Sequence, residues 1–373
     1  MKNTLRSLSC PIAVFSLAVI MGSCSGDDPV KPNPDPAPAT TRNGAYVLNQ
    51  GQYYNAIPGE LGFFDLNNNS FESQAFYKAN GRYLGDTPQC GVQYGSKIYI
   101  GVSESSTIEV VDAATLKSIS QIRLNPETTG MQPRSMVSYN GNVYISMFDG
   151  WVARLDTTSL QINSRVKVGP NPEEMALHNG LLYVPNSDGM NYPNPYGETA
   201  SVVDPGSMTV VRTISVPLNP RAFMSIGGRL FLLSMGDYGE VKGGLYEITS
   251  LDYSVYDIVS PIAPATMAAP DKANNRLVIF NAPFQKPFSA KFYNLSDNKL
   301  SDWNISEMVV PGGLAVDSKG NIFTTTYKMN GTLIGYDLPS DLLIYTSDLK
   351  LVDRKTVGIG PAAIFFPTDS GSK

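Results

Sequence analysis

The chain repeats itself, and the repeat leaves few folds open. Pro133-Arg134-Ser135-Met136-Val137 opens a unit that runs through Tyr139-Asn140-Gly141, Val143-Tyr144-Ile145-Ser146, Trp151 to Asp156, and Arg165 to Val168. The same order recurs from Pro172: Met175-Ala176, His178-Asn179-Gly180, Leu182-Tyr183-Val184, Ala200 to Asp204, then Val210 to Val216. Seven such openings occur, at Pro88, Pro133, Pro172, Pro220, Pro264, Pro311 and Pro361. Their spacing is roughly 40–50 residues, the length of one four-stranded propeller blade. Each opening leads into a short apolar stretch, a tight turn and an alternating strand such as Ile98-Tyr99-Ile100 or Leu277-Val278-Ile279. Period-two patterning with β-branched and aromatic residues argues strand. Proline at a strand's first residue removes no needed ladder hydrogen bond.

The two ends of the repeat complete each other. Ala45-Tyr46-Val47-Leu48 reads as a second strand with no first strand before it. Phe63-Phe64-Asp65 and Ser70 to Phe76 supply the third and fourth. Pro361 to Phe366 reads as a first strand with nothing after it. Pairing these segments closes a seventh blade and removes the open sheet edge. The expected fold class is therefore all-β, a seven-bladed propeller of four-stranded antiparallel blades. The segment from Leu333 to Leu351 fits two registers.

With 373 residues, length alone would suggest two domains; the repeat predicts one ring over residues 44–373. Charged residues are 16%, low for an ordinary domain, and the net charge is −5. No basic stripe is present, so no nucleic-acid partner is expected. Lys2 and Arg6 precede an apolar run from Pro11 to Gly22, too short for a permanent span, which reads as a secretory signal over residues 1–23. Met21-Gly22-Ser23-Cys24 resembles a bacterial lipoprotein cleavage site with Cys24 as the acylated residue. Asp27-Asp28 and the proline-rich run to Thr41 then form an acidic tag and an extended tether over residues 24–43. Cys90 is left alone, so no disulfide is expected, and a small buried apolar role suits it better than a nucleophilic one.

Propeller connectivity puts the loops between second and third strands on one face, with the inter-blade connections. The opposite face carries turn chemistry, as at Asn140-Gly141, Asn179-Gly180 and Gly227-Gly228. The first face carries the long insertions, with Tyr53, Tyr54, Tyr192, Tyr196, Tyr238, Phe284, Tyr327 and Tyr336. Loops lengthened on one face of a repeat protein form its binding surface. Tyrosine offers broad apolar contact with a hydroxyl, and Asn and Gln both donate and accept. Such a surface suits a large, neutral, amphipathic ligand. Gln89, Arg134, Glu173 and Arg221 follow blade-opening prolines near the axis, where they either bind ligand or join neighbouring blades.

Other chemistry is scarce. His178 is the single histidine and falls in a turn on the other face, which disfavours a Ser-His-Asp triad and histidine metal clusters. Asp86, Glu104, Asp149, Glu173 and Asp188 have no ligand spacing that singles them out for calcium. Asp65, Asp112, Asp156 and Asp204 recur at the end of third strands, which predicts turn capping. No phosphate-binding glycine loop is found and no cofactor is implied.

Val110-Val111-Asp112-Ala113-Ala114-Thr115-Leu116 and Val168-Gly169-Pro170-Asn171-Pro172-Glu173 resemble the repeat of YncE-like (YVTN-type) seven-bladed propellers, especially surface lipoproteins of Bacteroidota. The likeness spans nearly all of residues 44–366. The lipid site, acidic tag, proline tether and the strand Tyr46-Val47-Leu48-Asn49-Gln50-Gly51 are similar to the BtuG-type cobalamin-binding subgroup. That resemblance implies a non-enzymatic lipoprotein on the outer face of the outer membrane. It would capture cobalamin or a related corrinoid and pass it to a TonB-dependent transporter. The expected contacts are Tyr53, Tyr54, Tyr192, Tyr196, Tyr238, Phe284 and Tyr327 for apolar and stacking contact, with Phe148 beside them, and Gln89, Arg134 and Arg221 for hydrogen bonds. A glycan- or protein-binding propeller and a metal-dependent lactonase-like hydrolase are the alternatives.

Overall fold

The computed structural model describes residues 42–52, 56–191, 193–249, 261–284 and 286–367. Seven antiparallel sheets form the propeller. Blade 1 has the spatial order Pro361–Phe365, Gly44–Asn49, Glu60–Asp65, Ser70–Glu72. The innermost strands of blades 2 to 4 are Pro88–Tyr94, Pro133–Tyr139 and Ala176–His178. Those of blades 5 to 7 are Pro220–Ile226, Met267–Asp271 and Pro311–Val316. In blade 5 three strands lie among the described residues, and Leu245 bridges to Ala263 at the outer edge.

Closure follows the predicted pairing. Tyr46 lies opposite Phe365, Val47 opposite Ile364 and Leu48 opposite Ala363. The Tyr46 and Phe365 rings stack with centroids 5.1 Å apart. A β-carbon on Gly91, in blade 2, would approach the Phe365 ring to 2.6 Å, so the closing strand of blade 1 packs tightly against blade 2.

Burial explains the strand patterns. Second strands such as Lys97–Val102 and Leu181–Asn186 are buried almost throughout, because neighbouring blades cover both faces. Apolar residues on both faces are what such an inner strand requires. The outer strand Ser118–Arg123 instead alternates half-buried and exposed positions.

Two segments differ from or refine the sequence reading. The fourth strand of blade 1 is only Ser70–Glu72, and Ala75–Asn80 is a helix. Strand-like Phe76 is buried from that helix, and Gly81 ends it at φ 68°. Asn80 then accepts the Ser118 N–H at 2.8 Å, tying the helix to blade 2. Between Thr326 and Asp341, a small hairpin of Lys328–Asn330 and Leu333–Gly335 interrupts blade 7. The third strand is thus Asp341–Tyr345, which resolves the two registers.

The turn chemistry is as expected. Asn140, Gly141, Asn179, Gly180, Gly227 and Gly228 all have positive φ, as tight hairpins of primed type need. Asp112, Asp156 and Asp204 accept backbone N–H groups two or three residues ahead. Asp65 does the same for Asn67.

Candidate functional site

A β-bulge builds the axial site. In five blades the ladder slips by one residue just after the opening proline. The extra residues are Gln89, Arg134, Arg221, Gly312 and Ala362. A bulge re-aims the side chain it carries, and all five line one cavity of about 440 Å³. Gln50 and Tyr327, from the long-loop face, line it too.

The cavity is lopsided. Blades 2 to 5 contribute Gln89, Arg134, Glu174 and Arg221. Blades 6, 7 and 1 contribute small or apolar groups, among them Ala268, Gly313, Leu314 and Ala363. The charged groups therefore all lie on one side of the cavity, and the other side is small or apolar apart from Gln50, Thr266 and Tyr327.

Arg134 and Arg221 both bond to Glu173, at 2.6 and 2.5 Å. This joins blades 3 and 5 through blade 4, the structural role weighed from the sequence. The two arginines are not equivalent. Arg134 is 4% exposed and lies over the Phe148 ring at 5.3 Å, whereas Arg221 keeps 35% of its side chain exposed. Glu174 is open to the channel yet surrounded by protein, and burial raises its carboxyl pKa against the pull of Arg134. Burial raises Glu173 in the same way. Sequence reading missed Glu174; the paired acids after Pro172 were its one visible signal.

Cys90 also lines the cavity. Burial pushes its thiol up to about 12, so it stays protonated and is a poor nucleophile or metal ligand. His178 ends an inner strand and bonds through Nδ1 to Ser225 of blade 5 at 2.9 Å. Its Nε2 faces the Asn179 amide nitrogen at 3.1 Å. An amide nitrogen only donates, so Nδ1 carries the ring proton and cannot take one from Ser225. Among the described residues, no three His, Cys, Asp or Glu side chains form a metal-ligating group.

The long loops bring part of the predicted aromatic set together. Tyr196 meets Tyr238 edge-on at 5.8 Å across blades 4 and 5, and Tyr327 meets Tyr336 at 5.1 Å. Tyr238 and Phe284 are 70% and 81% exposed, while Tyr327 is half-buried at the cavity. Met190, Leu333 and Tyr336 add exposed apolar area on the same loops. Phe148 is held by Arg134 and is half-buried. Tyr53, Tyr54, Tyr192 and the lipidation residue Cys24 lie outside the described residues, as do the predicted signal and most of the tether.

Solved structures share the fold at low identity. A functionally unknown protein from Desulfotomaculum acetoxidans is 10% identical, with TM-score 0.58, covering 87% of this chain and 98% of its own. Hydrazine synthase from Kuenenia stuttgartiensis is 16% identical, with TM-score 0.57, covering 74% and 88%. The dihydro-heme d1 dehydrogenase NirN, in complex with DHE, is 11% identical, with TM-score 0.55, covering 91% and 77%. At these identities the likeness concerns architecture alone. No curated protein sequence matches this chain. A family profile described as a domain of unknown function, DUF5074, matches residues 43–269, more than half of the chain, and the protein therefore belongs to the DUF5074 family.

Proposed function

We propose that this protein is a non-enzymatic, lipid-anchored binding protein at the cell surface that captures cobalamin or a related corrinoid. It passes this cargo to an outer-membrane TonB-dependent transporter. The observation that carries the reading is the cavity lined by Gln50, Gln89, Arg134, Arg221 and Tyr327, beneath a face bearing exposed Tyr238, Phe284 and Tyr336. A corrinoid is a broad, largely uncharged macrocycle edged with amides. Its body is wider than a cavity of about 440 Å³, so its edge would enter while the loop aromatics cover the ring. The resemblance to BtuG-type lipoproteins supports the choice of ligand. Cys24, Asp27-Asp28 and the proline-rich run supply the expected anchor, tag and tether.

Titration calorimetry with cyanocobalamin tests the reading. Saturable one-to-one binding, little changed between low and high salt, is expected for neutral-amide recognition. No binding heat at concentrations that saturate a known corrinoid binder sinks it.

A further inference from the structure

The charged wall of the cavity holds a matched surplus. Arg134 and Glu173 satisfy each other as a buried pair, and Glu173 takes one further N–H from Arg221. Arg221 is left partly exposed, with its remaining N–H groups making no hydrogen bond to the described residues. Glu174, on the adjoining strand, makes no side-chain hydrogen bond or ion pair with the described residues and faces the channel. Their main chains are held together, because the Glu174 N–H donates to the Arg221 carbonyl at 3.1 Å and Glu174 bridges in parallel to Ala222. One unspent donor cation and one unspent acceptor therefore line the same channel from adjoining stretches of backbone.

A carboxylate guest would be opposed by Glu174, and an ammonium guest by Arg221. A hydroxyl carries its donor and acceptor on a single oxygen, so it serves both partners only where they converge on one point. A primary carboxamide has a carbonyl acceptor and an N–H donor on the same carbon, and it is neutral. A zwitterion would match the charges as well, and it is the amide-edged ligand of the proposed function that decides for the carboxamide.

We propose that Arg221 and Glu174 are an amide-reading pair. Arg221 donates to the carbonyl oxygen of a ligand carboxamide and Glu174 accepts its N–H, so the pair sets specificity for the intact amide over its hydrolysed acid. Gly312 and Ala362 put little side chain on the opposite side of the channel, where the arm that carries that amide would lie. This inference rests on the corrinoid reading for the identity of the ligand.

The test compares cyanocobalamin with its monocarboxylic acids, each made by hydrolysing one peripheral amide, on the wild-type protein, Glu174→Gln and Arg221→Gln. Wild type binds at least one monoacid about tenfold or more weakly, the scale of one hydrogen bond to a charged group. Glu174→Gln removes the repelling charge and shrinks that preference several-fold while keeping an acceptor. Arg221→Gln weakens cyanocobalamin itself about tenfold. Thermal melting of each variant verifies folding, and Glu174→Gln breaks no ion pair. Equal wild-type affinity for cyanocobalamin and every monoacid overturns the pair. So does a preference unchanged in folded Glu174→Gln, and both outcomes leave corrinoid binding intact. No binding of cyanocobalamin by wild type overturns both readings.

Discussion

Arg134 Nε lies 2.6 Å from Glu173 Oε2, an ion pair between blades 3 and 4 in which both side chains are almost wholly buried. Removing one partner of such a pair strands the other charge. Glu173→Ala would strand Arg134 and leave Arg221 without its bond, and is expected to lower stability by about 3–5 kcal/mol. Arg221→Ala should cost far less, because water already screens that side chain. Urea midpoints of the two variants check the order; equal losses would contradict it.

The closing strand supplies a second prediction. Phe365 stacks on Tyr46 and fills the space that Gly91 leaves. Phe365→Ala is expected to cost about 2–3 kcal/mol, less than a fully buried phenylalanine because the ring is partly open to the channel. Gly91→Ala should also destabilise, by forcing the ring aside. In the double variant the two losses should sum to less than additively, since the cause of the clash is gone. A denaturation cycle reads the coupling.

His178 predicts a pH effect. Burial lowers its pKa below the ordinary value of 6.5, so the folded protein favours the neutral ring. The unfolded chain binds the proton more readily. This contribution to stability is full above pH 6.5 and is lost as pH falls from there through the lowered folded value. His178→Gln should flatten stability against pH in that interval, as followed by urea midpoints from pH 7 to pH 5. An unchanged slope would contradict the assignment.

Cys90 predicts slow chemistry. In a chain carrying Cys10→Ser and Cys24→Ser, a thiol reagent such as DTNB should react with the folded protein at pH 8 at least about a hundredfold more slowly than with the urea-unfolded chain. Fast labelling of the folded form would show that the channel wall opens readily.

The ring was legible in the sequence because blade periodicity is a local signal repeated many times. Even the pairing of the C-terminal strand with the segment around Tyr46 could be inferred from what each end lacked. The bulges were not legible. Pro88-Gln89-Cys90 and Pro311-Gly312-Gly313 carry no letter that announces a slipped register, which emerges when two strands are laid side by side. Glu174 was missed for a related reason: beside Glu173 it looks like the second of two similar acids. Three-dimensional pairing separates them, giving one two arginines and the other none. The strand expected over Ser70 to Phe76 became a helix from Ala75 because burying Phe76 and Ala75 against blade 1 overrode the local alternation.

The zipper between Gly44–Asn49 and Pro361–Phe365 joins segments from opposite ends of the chain. No partial length of polypeptide can complete the circle, so assembly must wait for the final strand to be made. A nonsense codon shortly before Pro361 would leave Gly44–Asn49 as a bare sticky edge, converting a small loss of length into a product prone to aggregate.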